Sequence, residues 1–251
     1  MRNMVWELFD VHGRRWRLNH PDSPVRLVKG GLPELYAQQV ATVAAGRVVK
    51  GKSRVVPGSG SMTVGFYPKP GVDLGQVRRD FRAGWANDAY CVLCARHEDG
   101  VVVEANVRLP DDSGLPVREV LTPHIFDTVT VPLGWDDGVW WLRSRQPGPT
   151  VEIQNTGVAP VRVRVEWQRG GRVVLPSGAG FTLPTVKEPR VVALDRAAGF
   201  PVTTLAGEPD RALTRQLWGA VIEEKIMPNT TGTLTVPAGG HVIWEIGVAE
   251  P

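Results

Sequence analysis

The last hundred residues constrain the fold most, because they repeat one pattern. Short runs in which apolar and polar side chains alternate are closed by Gly, Pro and Asn. The runs are VEIQN (151–155), VRVRVEW (161–167), VVLP (173–176), RVVALD (190–195), TLTVP (233–237) and HVIWEIGV (241–248). In VRVRVEW the alternation is strict: Val161, Val163, Val165 and Trp167 fall on one side, and Arg162, Arg164 and Glu166 on the other. Successive strand side chains point to opposite faces of a sheet, so this is the pattern of a half-buried antiparallel strand. Several such runs at short spacing predict a β-sandwich or barrel module. No His–carboxylate–nucleophile cluster lies among them, so this half reads as a part built into something larger rather than as a catalyst.

The first part of the chain reads as a second β module. VWELFDVHGRRWRL (5–18) predicts a hairpin around His12–Gly13, and a short strand follows at Val25–Val28. Residues 36–56 predict two strands broken near Gly46 or Gly51, and SMTVGFYP (61–68) predicts a strand closed by Pro68 and Pro70. Residues 73–87 predict the one helix. Leu74, Val77, Phe81 and Trp85 form a stripe at helical spacing, with Asp73 as N-cap and Gln76 completing a capping-box-like pair. Two further hairpins are predicted, one turning at Glu98–Gly100 and one at Asp136–Gly138. The aperiodic RSRQPGPT (143–150) reads as the linker. The expected domains are therefore 1–146 and 147–251, and two modules suit an all-β chain of 251 residues.

The opening residues are interrupted by Glu7, Asp10 and two arginines, so they form no apolar signal-peptide core. No apolar run nears the roughly 20 residues a membrane helix needs. Synthesis and folding in the cytoplasm are the expectation. The charge is uneven. Residues 1–82 hold 14 Lys/Arg against 6 Asp/Glu, residues 83–146 hold 5 against 10, and the remainder balances at 10 each. A basic and an acidic face on one module could steer head-to-tail docking of identical subunits.

Sites for chemistry are scarce. Cys91 and Cys94 are the only cysteines, and on a strand residues three apart face opposite ways. No second pair completes a zinc site, so they read as structural thiols. None of His12, His20, His97, His124 and His241 has a partner at metal-ligand spacing. The glycine-rich PGSGSM (57–62) and PSGAG (176–180) lack the Lys–Ser/Thr and helix of a phosphate loop and read as turns. The adjacent carboxylates Asp136–Asp137 and Glu223–Glu224 read as turn or surface charges. No catalytic, cofactor or metal residue is assigned. RVVKGKSR (47–54) gathers Arg47, Lys50, Lys52 and Arg54 without interleaved aromatics, which argues against specific nucleic-acid contact. Nine tryptophans stand beside three tyrosines. Trp140 and Trp141 are neighbours, so on a strand one of them should be exposed in a monomer and buried at an interface. Those two tryptophans and the four cations are the candidate interface residues.

The order of these features resembles the distal tail proteins of long non-contractile-tailed phages, in particular the minor tail proteins of phages of actinobacteria. The residues that carry the resemblance are WELFDVHGRRWRLN (6–19), PDSPVRLVKGGL (21–32) and the 73–87 helix. In the second module they are EIQNTGVAPVRVRVEW (152–167), VVLPSGAGFTLP (173–184), RVVALD (190–195) and PNTTGTLTVPAGGHVIWEI (228–246). The resemblance implies an N-terminal split β-barrel with an inserted helix and a C-terminal galectin-like β-sandwich. It also implies six N-terminal domains in a ring that joins the tail tube to the tip, with the C-terminal domains outside. The partners it implies are the chain itself as homohexamer, tail tube, tape measure and tail-tip hub or fibre proteins, in the virion. The second module lacks the long insertions of receptor-binding members, which makes direct host recognition doubtful. A different reading is a carbohydrate-binding module using Trp140, Trp141, Trp218 or Trp244 as an aromatic platform.

Overall fold

In a computed structural model the described residues are 4–28, 34–37, 42–44, 47–49, 57–111, 113–115 and 126–251, with backbone alone for 34–37, 42–44 and 47–49. The chain divides into two compact units, residues 1–140 with 249–251, and 141–248. The architecture is mainly β, with several antiparallel sheets and two helices among the described residues, as the period-two runs predict.

In the first unit, β1 (Val5–Phe9), β2 (Arg15–Arg17), β8 (Cys91–Arg96) and β9 (Val102–Val107) form one antiparallel run in the order β9-β8-β1-β2. Its register places Leu8 opposite both Trp16 and Leu93, and Leu93 opposite Ala105, so one face is apolar from edge to edge. A second sheet has the order β10-β7-β3, from β10 (Asp127–Trp135), β7 (Gly58–Phe66) and β3 (Val25–Leu27), with β4 (Glu34–Ala37) also pairing β7. β5 (Thr42–Ala44) and β6 (Arg47–Val49) make a separate hairpin. The two sheets meet at one corner, where Arg108 and Gly134 exchange backbone hydrogen bonds of 3.1 and 2.8 Å. Neither closes into a barrel.

Helix α1 (Leu74–Ala83) presents Leu74 and Phe81 to this core. Phe81 is the hub: Trp16, Phe66 and Trp85 meet its ring edge-on, with centroids 5.4–6.0 Å apart. Edge-to-face packing suits aromatic quadrupoles and adds to the burial term. Asp73 caps the helix, accepting from the Gly75 and Gln76 amides at 2.8 and 3.2 Å. The expected capping box is not made. Gln76 Nε2 reaches forward to Asp80 Oδ1 at 2.6 Å, a turn along the helix. The helix also ends at Ala83, short of residue 87, with Gly84 as its C-cap, and the neighbouring turn lies so close that a Cβ on Gly84 would lie 2.6 Å from Asp10 Oδ2.

The second unit is a β-sandwich. One sheet has the order β17-β16-β13-β19-β11, from β17 (Val202–Thr204), β16 (Arg190–Ala193), β13 (Arg162–Trp167), β19 (His241–Val248) and β11 (Trp140–Pro147). The other is β12-β18-β14-β15, from β12 (Thr150–Gln154), β18 (Thr231–Thr235), β14 (Gly171–Val174) and β15 (Gly180–Leu183). Both inner faces and helix α2 (Arg211–Leu217) feed one core that includes Val151, Val163, Val165, Trp167, Val173, Leu183, Leu213 and Val242.

Further expectations need correction. The glycine-rich 57–62 is not a turn, since β7 begins at Gly58 and its Gly58–Met62 pairs with β10. The segment 143–150 is not a linker, since β11 runs through Arg143–Pro147 and β12 starts at Thr150. The division between units falls before it, at residues 140/141. The turn at Asp136–Gly138 does not close a hairpin, because β10 pairs with β7 while β11 lies beside β19. Helix α2 was not expected. It is seven residues long, too short for a periodic stripe, although Asp210 caps it by accepting from the Leu213 amide at 3.0 Å.

Candidate assembly surfaces

The first unit is knotted at Asp10. In the β1–β2 turn its carboxylate accepts from the His12 amide (3.0 Å), the Arg14 amide (2.9 Å) and the buried Trp16 indole (3.0 Å). The turn clasps the open end of α1: the Val11 amide and the Cys91 thiol donate to the Gly84 carbonyl at 3.1 and 3.3 Å, and the His12 ring meets the Ala83 carbonyl at 3.0 Å. Carbonyls at a helix C-terminus lack intrahelical partners, and this turn supplies them. Cys91 is thereby a structural group. Burial, then the Asp10 charge, pushes its thiol up to about 12, so it stays protonated. Cys94 is buried too, and neither cysteine is in a disulfide.

The turn after β10 carries a second polar knot. Arg108 bonds Asp136 at 2.8 Å and Asp111 at 2.5 Å, Tyr90 donates to Asp136 at 2.6 Å, and Asn106 donates to Asp137 at 3.0 Å. The Arg108 hydrogen bond holds the Asp136 carboxyl below its ordinary range, and the bond to Asp136 raises the Tyr90 phenol. Of the other adjacent carboxylates, Glu224 accepts from Ser177 at 2.7 Å and Glu223 lies 3.4 Å from Lys225. Both pairs are thus tied into loops. Among the described residues no group of three or more His, Cys, Asp or Glu could hold a metal ion. Nor is any helix there long and apolar enough to cross a membrane.

The outer edge of β10 is obstructed at two positions. Gly134 turns both backbone groups toward Arg108, so Pro132, Thr130 and Thr128, at period two, turn theirs the same way. Pro132 has no N–H, and the Thr128 N–H is taken by the Asp127 carboxylate at 2.8 Å. Proline and an occupied amide on an edge suppress strand addition.

The candidate interface residues separate. Arg47 begins β6, and Lys50, Lys52 and Arg54 lie outside the described residues. Trp140 and Trp141 do face opposite ways, yet both are buried, at 2% and 7% exposure. Trp140 packs against Trp6 and Trp135, with centroids 5.7 and 6.1 Å away. Trp141 is roofed by Arg162, whose guanidinium sits 3.8 Å from the ring centroid. The expectation of an exposed member fails because a cross-strand arginine covers it. Trp244 packs against the second core, and Trp218, just after α2, is 68% exposed.

The surface the alternation pattern did not foretell is the outer face of the β13-β19-β11 sheet. Glu166 takes both ends of Arg145 at 2.8–3.1 Å and lies 3.4 Å from His241 Nδ1. Glu245 is bonded by Arg143 at 3.0 Å and by Arg164. Both glutamates are buried on the side expected to be solvated. The signal was available in the arginine spacing, at 143/145 and 162/164 on strands that flank β19.

The chain matches no known family model and no curated protein sequence. Solved structures do match it in fold. A chain of the phage P2 baseplate in its activated conformation with Ca aligns at TM-score 0.59 and 9% identity, over 99% of both chains. The phage p2 baseplate structure with Sr gives 0.60 and 9%, again over 99% of each. The SPP1 Dit protein, described as a paradigm of hub adsorption apparatus in phages infecting Gram-positive hosts, covers 97% of this chain at TM-score 0.48 and 10% identity. From end to end, through both units, this chain shares the fold of a phage baseplate protein.

Proposed function

We propose that this chain is a structural component of a phage tail tip, a distal tail protein whose copies form a hexameric ring between the tail tube and the tip complex. The observation that carries the reading is the alignment with a baseplate chain over 99% of both chains, which spans both units in one match. The site chemistry supports it: the described polar clusters are knots that fix turns and helix ends. In this reading the first unit makes the ring and the second lies outside it. The partners are other copies of the chain, the tail tube and tape measure proteins, and the hub or fibre proteins of the tip. The place of action is the virion tail, after assembly in the host cytoplasm. A closed heterologous ring consumes complementary surfaces and leaves none unpaired. The segregated charge of residues 1–82 and 83–146 supports such head-to-tail contacts. Negative-stain imaging of the purified chain tests the proposal. Six-fold rings with a central hole are expected, and single particles of one chain at every concentration, also after addition of the tail tube protein, would refute it.

A second reading, a β-sandwich that binds a cell-wall glycan, is favoured by one observation. Trp218 is exposed and its ring covers Gly199, where a Cβ would lie 3.1 Å from the indole. A glycan array probed with the wild type and with Trp218→Ala decides it: absence of Trp218-dependent retention removes the reading.

A further inference from the structure

We propose that the β12-β18-β14-β15 sheet of the second unit continues from copy to copy, the β15 edge of one chain pairing antiparallel with the β12 edge of the next. The inference goes beyond the tail-tip reading and does not rest on it, since it concerns the second unit alone.

Both outer strands of this sheet turn unused backbone groups outward. The β14–β15 register pairs Val173 with Phe181 and Gly171 with Leu183, and just beyond it the Leu175 amide donates to the Ala179 carbonyl at 2.8 Å. Hydrogen-bonded pairs recur at period two. Phe181 and Leu183 therefore face β14, whereas the N–H and C=O groups of Gly180 and Thr182 face away from it. On β12 the same count starts from the Val236 amide on the Pro149 carbonyl (2.8 Å) and the Asn155 amide on the Thr230 carbonyl (2.9 Å). It leaves the backbone groups of Thr150, Glu152 and Gln154 facing away from β18. Among the described residues no strand pairs with either outer edge. Neither strand contains a proline such as Pro132 on β10. An edge without such a block is a template for another strand.

Direction, face and charge select a second copy as the occupant. Every neighbouring pair in the sheet is antiparallel, so β12 and β15 run in opposite directions. A copy in the same orientation thus brings its β12 antiparallel to β15. The outward-facing residues of both edges carry their side chains on the solvent face, so pairing leaves Phe181, Leu183, Val151 and Ile153 buried in their own cores. The charge fixes the register. Exposed Arg172 stands opposite Thr182 and leans over Gly180, where a Cβ would lie 3.2 Å from its Nε. The missing side chain at Gly180 lets this cation reach the edge. Glu152 is exposed at the middle of β12. Placing Glu152 of the second copy opposite Gly180, and its Thr150 opposite Thr182, sets that carboxylate beside the guanidinium. Opposite charges on adjacent strands favour pairing. The contact is heterologous, so it propagates from copy to copy.

The test is oxidative cross-linking of the full chain carrying Thr150→Cys and Thr182→Cys, at the highest concentration the protein tolerates, read on non-reducing gels. Both positions are exposed, so the fold should be kept, and circular dichroism checks this. The native Cys91 and Cys94 are buried, and the wild type supplies the blank. A ladder of dimers, trimers and higher species is expected, whereas neither single variant should exceed the blank. Arg172→Glu added to the double-cysteine chain should lower the cross-linked fraction about fivefold, and Glu152→Arg added to that should restore it. Absence of a ladder would overturn the proposal, as would a ladder indifferent to Arg172→Glu or a loss that Glu152→Arg does not restore. Abundant dimer from Thr182→Cys alone would pair β15 with itself and overturn it too. Six-fold rings that form without the ladder would refute this contact and leave the tail-tip reading standing.

Discussion

Asp10 in the first unit and Asn155 in the second meet the same need with different chemistry. Each is a buried polar side chain that fixes a turn against a distant element. Asp10 is an acceptor only, and it gathers two amides and an indole while its turn closes the end of α1. Asn155 both gives and takes: its amide donates to the Ala159 and Ile226 carbonyls at 2.9 Å, and its oxygen accepts from Gly157 at 2.9 Å. The surrounding cores differ in the same way. The first is a web of edge-on aromatic rings around Phe81, whereas the second is mostly aliphatic and drawn from two alternating sheets. The first unit therefore depends on a few large contacts, and the second on many small ones plus one saturated amide.

That contrast can be broken at several points. Phe81→Ala removes the hub of the aromatic web and should cost about 3–5 kcal/mol. Hydrogen exchange should speed up across β1 and β7 while β13 amides keep their protection; a uniform loss would show that the aromatic web is not specific to the first unit. Asn155→Ala leaves the Gly157 amide and the Ala159 carbonyl unpaired in a buried turn, an expected loss of about 2–4 kcal/mol in urea unfolding. A loss under about 1 kcal/mol would mean that water replaces the side chain. Gly157 should resist replacement as well, since a Cβ there would lie 2.3 Å from the Gly247 carbonyl oxygen. Trp16→Phe keeps most of the ring but deletes the donor to Asp10, which should cost about 1–2 kcal/mol.

Acid probes both units at once. Asp136 in the first and Asp210 in the second have carboxyls held below the ordinary value of 3.8, Asp136 chiefly by Arg108 and Asp210 chiefly by the Leu213 amide. A depressed folded pKa means that the unfolded chain binds the proton more readily. The stabilisation is thus complete above 3.8 and is lost as pH falls through the lower folded value. Asp136→Asn should flatten the acid limb of a stability–pH curve, and an unchanged limb would show that the Arg108 contact contributes nothing there. The smallest effect on stability, and a separate one on association, is expected for Pro132→Val. It restores an N–H on the β10 edge, so light scattering should report new aggregates at unchanged melting temperature.

The second unit was legible because its strands alternate. Val161, Val163, Val165 and Trp167 are all buried as their register predicts. Glu166 departs from the pattern because Arg145 draws it beneath the sheet surface, and pairing with a cation lets a carboxylate be buried. Of the predicted helix stripe, Leu74 and Phe81 are buried, Val77 is half-buried, and Trp85 is buried beyond the end of the helix. What local pattern could not supply was pairing between distant strands. The turn at Asp136–Gly138 has hairpin chemistry, yet it passes the chain from β10, which pairs with β7, to β11 beside β19. The same limit hid the roof over Trp141, which depends on Arg162 standing across the sheet, 21 residues later in the chain. The obstruction of the β10 edge lies in Asp127, Thr128 and Pro132, but it has meaning only because β10 is an edge strand.

The central claim, a ring-forming tail-tip protein, is tested most directly by the mass of the purified chain in solution, measured by multi-angle light scattering across a concentration series. The account predicts a species of six times the 27.4 kDa chain mass. A constant mass of 27.4 kDa, unchanged at the highest concentration and after addition of the tail tube protein, would contradict it.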